Sequence, residues 1–248
     1  MILSYDGTHF LGWQESTDGM TIQEALRRLL EQIYQHPIRL QAASRTDKGV
    51  HAEGQVAHYL TEKFLDLTRL KVSLNQLLPR SIRVLKMEEA KQTFHPTLDA
   101  TGKAYHYSLC LTPVQSPFLR SFSWHIPYSL DVSLMKKGAV SFVGTHDFTS
   151  LANQRDPKPT HTLCTLSRIE IIQEEERLRF EIEGNRFLYK MVRNLVGTLV
   201  DLGRGKLSLE EVQTLLEKKD RTKGGIVAPA HGLVLKKVYY PLDFATLD

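Results

Sequence analysis

The stretch TIQEALRRLLEQIYQ, residues 21–35, limits the fold more than any other part of the chain. Thr21 followed three residues later by Glu24 is a capping box, in which a hydroxyl and a carboxylate satisfy N–H groups that a first helical turn leaves open. Ile22, Leu26, Leu29, Leu30 and Ile33 recur at helical spacing and share one face. Pro37 ends the helix, because its ring removes a donor and clashes with the preceding turn. An amphipathic helix must cover an apolar layer, and its neighbours supply one. Met1–Tyr5, Arg39–Ala43, Gln55–Thr61 and Ile82–Glu88 read as strands, and Leu67–Leu77 as a second helix stopped by Pro79. The order β-α-β-β-α-β is that of a ferredoxin-like unit, a mostly antiparallel sheet with helices on one face.

The later part is less regular. Strands are expected at Lys103–Leu111, Phe122–Ile126, Leu166–Ile172, Leu178–Ile182 and Leu233–Tyr239, and helices at Val132–Phe142, Arg186–Leu202 and Ser208–Lys218. Ser208 with Glu211 repeats the capping box. The fold class is therefore α+β, with one domain over residues 1–95 and a second over 96–248. Asn153–Thr160, with Pro157 and Pro159, reads as a polar, mobile loop.

No apolar run approaches the roughly 20 residues of a membrane helix, and MILSYDGTHF has no secretion-signal pattern. Cys110 and Cys164 form no C-x-x-C pair, which fits reduced thiols in a cytoplasmic protein. The net charge of +4 makes a polyanionic partner more probable than for a neutral chain, and its placement matters more than its size.

Three segments concentrate chemistry. On helix Arg186–Leu202, at ~100° per residue, Lys190, Arg193 and Gly197 fall within about 40° of Arg186, opposite a leucine and valine stripe. Gly197 there lets another backbone or a ligand come close. A solvated basic face and a nucleic-acid face both fit this pattern. On strand Lys103–Leu111, Tyr105 and Tyr107 interleave with Lys103 and His106, as suits either a core face or base stacking. In SRTDKGVHA, residues 44–52, an extended Arg45-Thr46-Asp47 points Arg45 and Asp47 the same way. A nearby guanidinium favours the ionised carboxylate, which suits a nucleophile or general base, while a plain charged turn at Gly49 fits as well. No P-loop, dinucleotide fingerprint or metal-ligand spacing is present, so a site without metal or cofactor is the simplest reading.

Six segments in order then carry a wider pattern: YDGTHFLGWQ, SRTDKGVHA, FHPTLDATGKAYHY, FVGTHDFTSL, GNRFLYKMVRNLVGTLVDLGRGK and APAHGLVL. Together they resemble the tRNA pseudouridine synthase A family over essentially the whole chain. The resemblance implies two ferredoxin-like (RRM-like) halves in a pseudouridine synthase fold, acting as a cytoplasmic homodimer on the anticodon arm of tRNA. Uridines at positions 38, 39 and 40 would become pseudouridine with no cofactor and no metal. By the same resemblance Asp47 is the catalytic aspartate and Arg193 the arginine that pairs with it. Tyr105 stacks on the target base, and Arg45 is the aspartate's basic partner within its motif. Lys103, Arg186 and Lys190 are expected to touch RNA phosphates.

The chain departs from the family pattern at Ser44 for glycine, Lys48 for alanine, Thr97 for the arginine of an FHAR segment, and His161 for a second arginine. Each lost arginine is a lost RNA contact. Two other classes stand beside the synthase: a tRNA-binding protein or RNA chaperone that kept the fold without catalysis, and a metal-dependent nuclease using Asp6, Asp47 and Asp147. The nuclease lacks a clustered carboxylate motif.

Overall fold

A computed structural model describes residues 1–153 and 161–241. Beyond Asn153, the polar loop expected at Asn153–Thr160 lies outside the described residues. In chain order the elements begin β1 (Ile2–Tyr5), α1 (Ile22–Tyr34), β2 (Gln41–Ala42), β3 (His51–His58), α2 (Leu67–Leu77) and β4 (Ile82–Lys86). They continue β5 (Gly102–Cys110), β6 (Trp124–His125), α3 (Val132–Val140), β7 (Gly144–Asp147), β8 (Leu163–Glu174) and β9 (Arg177–Gly184). The last are α4 (Met191–Gly203), α5 (Leu209–Gln213), α6 (Leu215–Lys218) and β10 (Leu233–Tyr239).

Among the described residues the chain forms two compact units, 1–101 with 234–241, and 102–233. The sequence predicts one boundary near residue 95, with everything after it in the second domain. Here the break follows Thr101, and the C-terminal strand returns to the first unit. That return is invisible to a linear reading because it depends on pairing: β10 lies parallel to β3, with Val234 opposite His51 and Leu235 opposite Ala52.

In the first unit β1 lies between β3 and β4, antiparallel to both, and β2 pairs with β3. Helix α1 buries Ile22, Leu26, Leu30 and Tyr34, a row at four-residue spacing. Leu29 and Ile33 are only partly covered. The Thr21 hydroxyl accepts from Glu24 N–H at 3.2 Å, but Glu24 turns its carboxylate to Arg28, so one half of the expected box forms. Helix α2 starts at the Asp66 cap and holds the edge of β4. The Asn75 amide donates to Val84 O and accepts from Val84 N–H, both at 2.9 Å. Gly54 lets β3 approach β10, since a Cβ there would lie 2.5 Å from Lys236 O.

In the second unit β5, β9, β8 and β7 form an antiparallel series, and β6 runs parallel to the end of β5. Tyr105, Tyr107 and Leu109 are buried along one face of β5, as their alternation requires. Cys110 and Cys164 are buried free thiols. β7 has no counterpart in the sequence reading, because GTHD offers no apolar alternation and is held as a strand by pairing with β8. The helix expected over Ser208–Lys218 is interrupted at Thr214, although its capping box forms in full.

Helix α4 differs most from expectation. It starts at Met191 and not at Arg186, and Lys190 precedes it in the left-handed region with φ 59°. Asn185 explains the delay. Its amide oxygen accepts from Thr165 N–H at 2.9 Å and its own N–H donates to Thr165 O at 3.0 Å, fastening the chain to β8. The basic stripe of Arg186, Lys190 and Arg193 therefore does not exist as a helical face. All helical residues of α4 except Arg193 are buried, so its side opposite the leucines is packed too. There Gly197 meets the backbone of Ile226 and Gly225 meets the backbone of Thr198.

A Cβ at position 197 would lie 1.7 Å from the Ile226 carbonyl oxygen, a clash with backbone that no rotamer relieves. Gly197→Ala is expected to lower the unfolding free energy by about 3 kcal/mol, at the upper end of overpacking. Urea titration followed by circular dichroism measures it, and wild-type stability would show that the segment at Ile226 yields freely.

Candidate functional site

The loop between β2 and β3 carries Asp47, and a segment nearer the N-terminus shapes it. Trp13 N–H donates to Thr46 O at 3.0 Å. Gly12, at φ 98°, comes so close that a Cβ would lie 2.6 Å from Thr46 O and 3.0 Å from Asp47 C. A Cβ on Gly7 would lie 2.0 Å from Val50 O. The loop closes when Val50 N–H donates to Asp47 O at 3.1 Å, with Gly49 at φ 78° as the turn residue its sequence suggested. Thr46 is buried, Asp47 is half-buried, and Arg45 and Lys48 are exposed. This alternation turns Arg45 and Asp47 away from the side that buries Thr46. Tyr5 and Gln55 also bond this loop. Sequence reading did not single out either one, because a tyrosine and a glutamine on strands carry no signal of what they touch.

Asp6 in the same unit has structural work. It accepts from the Thr8 N–H at 3.0 Å and the Thr8 hydroxyl at 2.5 Å, and lies 3.1 Å from His51 Nδ1. Burial alone would raise its pKa, but the Thr8 hydrogen bonds and His51 hold it below the usual carboxylate range. Asp147 belongs to the other unit. Bonds from Thr149, Thr162 and Lys219 overcome its burial and hold it far below that range. Among the described residues no group of three or more histidines, cysteines and carboxylates is arranged to hold a metal ion. The three aspartates of the nuclease reading thus do not form one cluster within either unit.

The second unit carries the remaining candidates. Tyr105 on β5 is 7% exposed, and the Phe187 ring meets it edge-on with centroids 5.0 Å apart. Lys103, two residues earlier on the same face, feels both burial and the charge of Arg186. So Lys103 and Arg186 are near neighbours, brought together by the Asn185 turn and not by a helix. Lys190 lies over its neighbour Tyr189, 5.1 Å from the ring centroid.

Arg193 is held at two points by one residue. Its Nε donates to Ala228 O at 2.7 Å, and Ala228 N–H donates to Arg193 O at 3.1 Å. The following segment is braced against β5, with the Tyr107 hydroxyl donating to Pro229 O at 2.8 Å and Gly232 packed on the Tyr107 ring. Ala228 was not a candidate by sequence, since its contribution is a carbonyl that any residue possesses. Of the departures, Thr97 has a local role: its hydroxyl donates to Ala42 O at 2.9 Å.

Comparison with known proteins bears out the family resemblance. A family model described as tRNA pseudouridine synthase matches residues 1–98 and 139–241. The chain is 44% identical over 243 residues to "tRNA pseudouridine synthase A 2" of Protochlamydia amoebophila (strain UWE25), covering 96% of this chain and 92% of that one. It is 40% identical over 240 residues to "tRNA pseudouridine synthase A" of Thermoanaerobacter sp. (strain X514), covering 97% and 98%. To the protein of that name from Chlamydia muridarum (strain MoPn / Nigg) it is 41% identical over 245 residues, covering 98% and 91%.

Burial first, and then Arg186, push the Lys103 ammonium down to about 8. The unfolded chain holds that proton up to its ordinary value of 10.5, so folding stability should rise with pH between these values. Isotope-labelled methylation of lysines followed by NMR titration should show one resonance with a midpoint near 8, lost in Lys103→Met and moved upward in Arg186→Gln. A midpoint above about 10 would show that the pair is solvated.

Proposed function

The chain belongs to the tRNA pseudouridine synthase family, and we propose that it converts uridine to pseudouridine at positions 38, 39 and 40 of the tRNA anticodon stem-loop. That it is an isomerase acting on uridine in tRNA follows from the family. The carrying observation is the near full-length match to proteins named tRNA pseudouridine synthase A, joined to a loop that holds Asp47 by its backbone. No helix among the described residues is long and apolar enough to cross a membrane. We read the working form as a cytoplasmic homodimer that grips the anticodon arm. We also read the two units as ferredoxin-like halves. The β-α-β-β-α-β order, with β1 between β3 and β4, supports this for the first unit.

The reaction breaks the bond from C1′ to N1, turns the uracil and joins C5 to C1′. N1 gains a proton and the C5 hydrogen leaves, so atoms balance without an oxidant or reductant. In this proposal Asp47 is the anion that either attacks the nucleotide or removes a proton from the sugar. A half-buried carboxylate on a fixed loop suits both routes. Arg193 contributes positive charge from a guanidinium whose Nε is already fixed on Ala228 O. Tyr105 supplies a π-face for a uracil taken out of its stack, and the cost of unstacking, a few kcal/mol, is offset by such contacts. Arg45, exposed beside Asp47, positions RNA. Lys103, Arg186 and Lys190 contact phosphates as a cluster around the Asn185 turn and the entry to α4, which is a different arrangement from a helical stripe.

A tRNA transcript tritiated at uracil C5 tests the proposal. Pure protein in chelator should release label from positions 38 to 40, and Asp47→Asn should reduce release at least about 100-fold. Binding without release would instead fit a tRNA-binding protein without catalysis, and label lost from other uridines would overturn the site assignment. Arg193→Ala should lower kcat about 100-fold while tRNA affinity stays within about threefold. Equal losses in both would remove Arg193 from the chemical step.

A further inference from the structure

The Gln55 amide makes all its observed hydrogen bonds to the loop that carries Asp47 and the tyrosine that braces it. Gln55 is fully buried on β3. Its Oε1 accepts from Ser44 N–H at 3.1 Å and its Nε2 donates to Ser44 O at 2.7 Å. The side chain thus pairs with Ser44 as a neighbouring strand would. This two-way contact also fixes the orientation of the amide, since a flipped amide would face donor to donor and acceptor to acceptor.

The second Nε2 hydrogen goes to the Tyr5 hydroxyl oxygen at 3.2 Å. Tyr5 is buried on β1, and its hydroxyl lies 2.7 Å from Thr46 Oγ1. Gln55, Tyr5 and Thr46 thus form one continuous run of buried hydrogen-bonded side chains, with the phenol oxygen shared between the amide and the Thr46 hydroxyl. Thr46 is held at its backbone as well, by Trp13. Residues 44 and 46 are therefore pinned on the buried side, and Asp47 is the first residue beyond the second pin. The chain has little freedom left to move that carboxylate except about its own side-chain torsions.

We propose that Gln55, Tyr5 and the Thr46 hydroxyl are positioning residues for Asp47: they set the place of the carboxylate without touching substrate. The proposal rests on the reading of Asp47 as the reacting carboxylate. Misplacement by about 1 Å can cost about 100-fold in rate while leaving substrate affinity intact, because affinity draws on many contacts remote from the reacting atoms.

Steady-state release of tritium from C5-labelled tRNA, measured with thermal unfolding of each variant, provides the test. Tyr5→Phe, Thr46→Val and Gln55→Met should each lower kcat about 10- to 100-fold, with KM for tRNA within about twofold. Tyr5→Phe with Thr46→Val should be no slower than the slower single variant, since both remove one bond. Thr46→Ser keeps the hydroxyl and should restore the rate. Leu74→Ala, a core truncation on α2 of the same unit, provides the stability control and should keep kcat at a temperature where it remains folded. Wild-type turnover in Tyr5→Phe and Thr46→Val overturns the inference. So does an equal fall in kcat for folded Leu74→Ala, or a loss carried by KM. Should Gln55→Met fail to fold, the Tyr5 and Thr46 variants still decide. If Asp47→Asn turns over normally, it is the underlying reading that fails. If Asp47→Asn is inactive and the three variants are normal, only the positioning role falls.

Discussion

Backbone meets backbone without an intervening side chain at Gly12, and the setting of the loop that carries Asp47 depends on that contact. The strands β1 and β3 place their connecting loops side by side, but adjacency alone would leave a side chain's width between them. With only hydrogen at Gly12, the carbonyl of Thr46 comes within reach of the Trp13 N–H, and the loop gains a fixed partner. Gly7 repeats the arrangement against Val50 on the other side of Asp47. An exposed loop is ordinarily the most mobile part of a domain. This one is held on both flanks of its carboxylate by a segment that lies well before it in the chain, from Gly7 to Trp13.

The second unit uses the same device for a different end. Gly197 and Gly225 bring the chain at 225–228 onto α4, and Arg193, one turn before Gly197, then finds the Ala228 carbonyl beside it. The surrounding polar groups keep that segment in place. Arg221 donates to the Asn194 amide oxygen and to Gly225 O, both at 2.9 Å, and Ile226 N–H donates to buried Asp201 at 3.0 Å. A helix buried nearly all round carries one basic side chain because its neighbours supply an acceptor for it.

How far this was legible in the sequence follows from the range of each interaction. Helix α2 and strand β10 match their expected bounds, since their limits are set by Asp66, Pro79 and the local apolar pattern. Gly49 announced its turn for the same reason. The start of α4 was not legible, because the periodicity of residues 186–190 is overridden by Asn185 bonding to Thr165, twenty residues away. Arg186 and Lys190 were expected on a helical face that does not form, and the nearness of Arg186 to Lys103 depends on the pairing of β5 with β9, which a linear reading does not contain. Tyr5 and Gln55 were missed outright: their partners lie 41 to 50 residues and 11 residues distant, and pairing at that range is written in the fold.

The chemistry of Arg193 also limits what could replace it. Its Nε is committed to Ala228 O, and in a planar guanidinium that bond fixes the direction of both terminal nitrogens. Lysine would bring the same charge but a single ammonium on a flexible stem. It would have to choose between the carbonyl and whatever the arginine's terminal nitrogens address. The constraint is therefore geometric before it is electrostatic. In both units a backbone contact made possible by glycine comes first, a hydrogen bond to that backbone follows, and the charged group inherits its direction from the two together.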